Sequence, residues 1–356
     1  MDSFIVVTLT EILSLLFMYL YEKNKNKKKF FDSKIYLVLS AIPLVLLVGL
    51  RGINTGTDTK RTVEIMSNMI DDSSKISIYS SWLSYGYISI IMLVGLLFGK
   101  NYVIFNLIIA GLTIYFLFRA IDENSDNKVL SLFIFFSMCL LYQMMNQARQ
   151  ILAVAIILYS VKYINQKKFW RFLLIIIFAF SIHKTSIIFL PLYFLSTFKL
   201  DKKTLLIYIL SFLLVFLFKD VITDLLMLTD YGQTYIMWYK QNPKAIYNLI
   251  IRVFLFLFYF FIGYNSKNKP NNIIYINLCI WCLLTQSITT YIYAFGRITT
   301  YFFVFFIFFI PNAIKNTTFS NRNSLNFITV FGFLGYYIVY YIYNGFIDIN
   351  YSIFCF

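Results

Sequence analysis

The stretch 35-IYLVLSAIPLVLLVGLRGINTGTDT-59 changes chemistry at Arg51. Its first sixteen residues carry no charge. Its last eight after the arginine include two glycines, three threonines, an asparagine and an aspartate. An uncharged run closed by an arginine and a polar turn reads as a helix that crosses hydrocarbon and stops where water begins.

The rest of the chain repeats that pattern. Its 356 residues are 60% hydrophobic, 21% aromatic and only 13% charged, with a mean hydropathy of +0.73. Average soluble domains are roughly 45–50% apolar and about 25% charged, so a water-soluble fold is excluded. Thirteen apolar runs lie between residues 4 and 343. The longest polar stretches, 51–82 and 219–245, are too short to hold a core of their own. The expectation is an all-α, polytopic integral membrane protein, a single transmembrane domain over 1–356. The N-terminal MDSFIVVTLTEILSLLFMYLY has no basic leader and no small-residue cleavage site, so it reads as a retained membrane helix.

The net charge of +15 sits in short loops between apolar runs. That distribution sets orientation and gives no basic face for nucleic acid. EKNKNKKKF at 22–30, KYINQKKFWR at 162–171, KLDKK at 199–203, NSKNKPNN at 265–272 and KNTTFSNRN at 315–323 fall on the cytoplasmic side. Stretches 51–82 and 219–245 then become outer-face loops. The parity of crossings between 51 and 162 closes only if one apolar run fails to span. The short run 83–98, which opens with SYGY, is the expected re-entrant segment. About twelve crossings result, with both termini outside. The Asn316 sequon falls on the cytoplasmic side and carries no weight. Cys279 and Cys282 form CIWC inside the apolar run 273–291, where they read as buried thiols one turn apart.

On this topology the polar residues at helix ends gather on the outer side. They are Arg51 with the GTDT turn and Asp58, Arg149 in QARQ, His183 and Lys184 in SIHKTS, and Arg297 in FGRITTYF. Arg252 lies about two turns inside its run. Each arginine alone could be a side chain snorkelling to headgroups. Together, in a charge-poor chain, they suggest a site for a lipid phosphate or diphosphate, which guanidinium groups bind through paired hydrogen bonds. A single histidine and a lone aspartate make a poor metal cage, so a mechanism without metal or cofactor is expected. The loop 228-LTDYGQTYIMWYKQNPK-244, with Tyr235 and Trp238, and Tyr293 in YIYAF could belong to an interfacial aromatic belt or stack on sugar rings.

Four stretches, in order, resemble elements of the EpsG/Wzy-type polysaccharide polymerases of bacterial membranes: LRGINTGTDT, QARQILAVAIILYSVKYINQKKF, FAFSIHKTSIIFLPLYFL and GRITTYFFVFFIFFIP. The resemblance spans roughly residues 45 to 311. It implies the helical GT-C architecture and residence in the bacterial cytoplasmic membrane. It implies a glycosyltransferase that joins undecaprenyl-diphosphate-linked oligosaccharide repeat units, as in O-antigen, capsule or exopolysaccharide synthesis. A flippase and a chain-length regulator are the implied partners, beside membrane lipid. Arg51, Arg149, Arg297, Arg252 and Lys184 would then face the diphosphate. Asp58 and His183 are both candidates for the base, and the residues do not choose between them. A lipid-linked oligosaccharide transporter and a glycan ligase are the alternatives. A transporter should carry internal repeats and charges nearer the midplane.

Overall fold

The computed structural model describes residues 3–343 except 27–29, 57, 82, 229–242, 267–268 and 293–294. Among the described residues the regular structure is entirely helical, and the chain divides into two compact units. The first comprises Met1–Leu190 and Asn326–Phe356; the second is Pro191–Leu325.

The first unit begins with α1 (Ser3–Asn26) and α2 (Phe30–Gly49), packed as a hairpin. Small residues let the two helices close. The Ser14 hydroxyl donates to the Ser40 carbonyl at 2.8 Å, and the Ser40 hydroxyl returns the bond to the Ser14 carbonyl at 2.7 Å. Such reciprocal bonds satisfy hydroxyls that lipid could not. After the turn come α3 (Thr59–Asp71), α4 (Ile76–Ser80), α5 (Tyr85–Phe98) and α6 (Tyr102–Asn124). Gly49 ends α2 against α6: a Cβ there would lie 2.5 Å from Leu107 Cδ2.

Next, α7 (Lys128–Ser137) and α8 (Leu140–Asn146) form one apolar stretch bent by 57°. The bend is at Cys139, whose φ of 54° is left-handed although it is not glycine. The unit continues with α9 (Ala148–Asn165) and α10 (Phe169–Ile182), then a 3-10 turn over Lys184–Phe189. A last helix, Arg322–Tyr343, belongs to this unit from Asn326 onward.

The second unit holds α11 (Leu192–Leu195), α12 (Lys202–Leu217), α13 (Lys219–Met227), α14 (Pro243–Ile262), α15 (Pro270–Thr289), α16 (Gly296–Phe303) and α17 (Phe306–Lys315). Its core is dense in phenylalanine: Phe302, Phe305, Phe306 and Phe308 are fully buried. Buried Asn277 ties α15 to the start of the unit. It accepts from the Tyr208 hydroxyl at 2.8 Å and donates to the Ser196 and Phe198 carbonyls at 2.7 and 2.9 Å. Cys279 and Cys282 are buried free thiols, as the apolar run around them requires.

Among the described residues, six helices are long and apolar enough to cross a membrane, or seven if the bent pair counts as one span. With the apolar faces that α1 and α12 leave open, Leu9, Ile12, Leu16, Leu210 and Leu213 among them, they make the chain an integral membrane protein. The sequence expectation of twelve crossings counted shorter runs as spans. Helix α5 is unbroken but has 14 residues, about 21 Å at 1.5 Å each, against about 30 Å of hydrocarbon. The run 185–198, read from sequence as one crossing, is a 3-10 turn and a single α turn divided by Pro191. Proline there has no N–H to continue the helical ladder.

Candidate functional site

Arg51 follows α2, and its side chain turns inward, only 3% exposed. Nη1 donates to the Val48 carbonyl at 2.5 Å, Nε to Thr59 Oγ1 at 3.1 Å and Nη2 to Asn106 Oδ1 at 3.3 Å. One guanidinium therefore joins the end of α2, the start of α3 and the first turns of α6. Snorkelling is ruled out for this arginine. Three of its five N–H groups serve the fold.

The GTDT turn is shaped from the other side by α8. Gly56 has φ of +83°, and a Cβ on it would lie 2.6 Å from the Met145 carbonyl oxygen. Glycine is required there for conformation and for clearance. Thr59 Oγ1 donates to the Thr55 carbonyl at 2.7 Å and closes the turn. Asp58 occupies the N-cap position of α3, yet its carboxylate makes no capping bond and is exposed. Its carbonyl accepts from Thr62 N at 3.0 Å and Thr62 Oγ1 at 2.8 Å. The carboxylate is thus left outside the helix cap that aspartate usually supplies.

Arg149 lies in the first turn of α9, half-buried, its Cζ 5.4 Å from the centre of the Tyr87 ring. That is within cation–π range. Tyr87 is 2% exposed. Arg149, Arg51 and Asp58 all act on its phenol electrostatically. A tyrosine that sequence did not single out therefore lies against Arg149, within electrostatic range of Arg51 and Asp58. The only sign of it was SYGY, whose polar-aromatic character breaks the start of an apolar run.

His183 ends α10 and opens the 3-10 turn, with Nδ1 2.7 Å from Thr185 Oγ1. Gly86 sits against the last turn of α10, where a Cβ would lie 2.4 Å from Ser181 Oγ. The ends of α5 and α10 nearest Tyr87 and His183 are therefore in contact. Lys184 Nζ donates to the Ser80 and Ser81 carbonyls at 3.2 and 2.9 Å, holding the end of α4. On α8 and just beyond it, the amide oxygens of Gln143 and Gln147 are buried without a hydrogen-bond partner among the described residues.

In the second unit, Arg252 is buried within α14. Its Nη1 donates to Gln286 Oε1 on α15, and its Cζ stacks 3.8 Å from the centre of the Phe303 ring. Its Nε has no partner. Gln286 is itself held, its Nε2 donating to the Ala245 carbonyl at 2.9 Å. Arg297 is the second residue of α16, whose N-terminal half is tied to α15 by Thr289 Oγ1 and Thr299 Oγ1, 3.0 Å apart. Tyr235, Trp238 and Tyr293 lie outside the described residues.

These features define a polytopic helical membrane protein. The model of the EpsG family matches residues 34–354, and the chain belongs to that family. No curated protein and no solved structure matches it.

Proposed function

We propose that the chain is a polysaccharide polymerase that joins undecaprenyl-diphosphate-linked oligosaccharide units on the outer face of the bacterial cytoplasmic membrane. The observation that carries this reading is the placement of Arg149 against the buried Tyr87 ring, in the same unit as a turn that leaves the Asp58 carboxylate exposed and uncapped. A glycosyl diphosphate needs a fixed cation at its leaving group and a base near the attacking hydroxyl.

In the reaction, a hydroxyl oxygen of the incoming unit attacks the anomeric carbon of the growing glycan. The bond from that carbon to the diphosphate oxygen breaks, and its electron pair leaves with the lipid diphosphate. Arg149, charged at any working pH, stabilises the charge that develops there. Asp58 takes the hydroxyl proton, since its carboxylate is exposed and unused by the helix cap. Arg51 positions the turn that carries Asp58. Sugar hydroxyls are donors suited to the open amide oxygens of Gln143 and Gln147. The resemblance of GRITTYF to its family element gives Arg297 a diphosphate-binding role, and Arg252 takes the same role at a greater depth.

The test is chain extension by the purified protein with lipid-linked repeat units, alongside the surface glycan of a deletion strain. Polymerase function predicts loss of long chains with one repeat unit retained. Polymer accumulated on the lipid carrier would instead indicate a ligase, and repeat units trapped on the cytoplasmic face a flippase.

A further inference from the structure

Tyr87 is two residues into α5, and a tyrosine at a membrane interface normally keeps its phenol in water. Here the side chain is only 2% exposed. The ring carries the Arg149 guanidinium on one side, with Cζ 5.4 Å from its centre. Phe105 of α6 meets the ring edge-on, with centroids 5.6 Å apart and an interplanar angle of 82°, which fixes the ring plane. Gly86, the preceding residue, lets α5 approach Ser181 closely enough to hold the backbone in place.

We infer that Tyr87 is the positioning residue of the site, its ring holding Arg149 in place to meet an anionic lipid diphosphate. This rests on the polymerase reading only for the identity of the anion. The ring packs beside Arg149, and a guanidinium recognises paired phosphate oxygens through N–H groups in its own plane, so its orientation decides how well they are met. A leucine would fill part of the same space without fixing that orientation.

The experiment measures the affinity of the purified, detergent-solubilised full chain for undecaprenyl diphosphate. Wild type is compared with Tyr87→Phe, Tyr87→Leu, Tyr87→Met, Arg149→Ala and the Tyr87→Leu/Arg149→Ala pair. Thermal unfolding of each establishes that it is folded, and Tyr87→Met replaces Tyr87→Leu if the latter is not. Loss of the ring is expected to weaken binding about tenfold, and loss of the phenol alone less than about threefold. The double variant should bind as Arg149→Ala does, because a ring that acts through Arg149 has nothing left to orient. Losses that multiply in the double variant would make Tyr87 a merely structural residue and overturn the inference. So would wild-type affinity in Tyr87→Leu. Wild-type protein that fails to bind undecaprenyl diphosphate at all would overturn the polymerase reading itself, and the assignment of Tyr87 with it.

Discussion

Arg51 and Arg252 are both buried arginines inside apolar helical packing, one in each unit, yet they are held in opposite ways. Arg51 spreads its donors over a carbonyl, a hydroxyl and an amide from three helices or their ends. Arg252 has one amide acceptor and the face of Phe303, and its Nε has no partner. The first is a structural joint whose charge is shared among fixed dipoles. The second keeps donor capacity in reserve, which is what a ligand-binding cation needs and a joint does not. Arg149 is a third arrangement: half-buried and set beside an aromatic ring. Equal residue type therefore does not mean equal surroundings.

The widest gap should appear between Asp58 and its own backbone. Because the carboxylate makes no capping bond, Asp58→Asn should leave thermal stability unchanged. Chain extension should fall by about 10²–10⁴-fold, the usual worth of a general base. Near-normal extension by Asp58→Asn, with loss in His183→Ala, would pass the base role to His183.

The arginines break the comparison in the next tier. Arg149→Lys should keep the protein folded and slow extension by about 10²-fold, since an ammonium cannot reproduce the paired hydrogen bonds. Arg51→Lys should instead lower stability, by about 2–4 kcal/mol, because Thr59 and Asn106 lose buried, charge-assisted bonds. Thermal shift and extension rates together separate the two. If Arg51→Lys were as stable as wild type but inactive, the joint would have to be reassigned as a ligand. In the second unit, Arg252→Lys should bind lipid diphosphate several-fold more weakly, while Gln286→Leu should cost stability first, because Gln286 also holds the Ala245 carbonyl.

Gly56 tests how tightly the turn is pressed on α8. Alanine there meets the Met145 carbonyl and must also adopt a left-handed φ. A loss of about 1–3 kcal/mol is expected, read by thermal unfolding, together with slower extension as the turn shifts Asp58. Unchanged stability would mean the turn is looser than its geometry indicates.

Much of this contrast was legible only in part from sequence. The GTDT turn was readable, whereas 59-TKRTVEIMSNMI-70, counted from sequence within the outer-face stretch 51–82, forms Thr59–Asp71, with Ile65, Met66 and Met69 buried at helical spacing. The bend at Cys139 was not, since LFIFFSMCLLYQMMN contains neither glycine nor proline. Nor could the chain disclose that Asn106 and Gln286 would receive the arginines, 55 and 34 residues away. Tyr87 was hidden for a different reason. Inside an apolar run a buried tyrosine looks like any aromatic, and only the packing of α5, α6 and α9 shows which cation it faces.

The smallest expected effect belongs to Lys184, and it bears on how far the charged cluster extends. From sequence Lys184 was a candidate for the diphosphate. Its Nζ instead donates to the Ser80 and Ser81 carbonyls at the end of α4, leaving one of its three protons uncommitted. Both the lysine and the carbonyls' surroundings are exposed, so the contact competes with water and contributes on the order of 0.5–1 kcal/mol. Lys184→Met should therefore slow extension less than about threefold and change affinity for lipid diphosphate by no more than that, well short of the tenfold step assigned to the Tyr87 ring. Hydrogen exchange at 76–81 should rise, because the end of α4 loses its tether. A large loss of affinity with unchanged exchange at 76–81 would mean that the ammonium leaves these carbonyls for the substrate, and that the site reaches past Tyr87 to the end of α10.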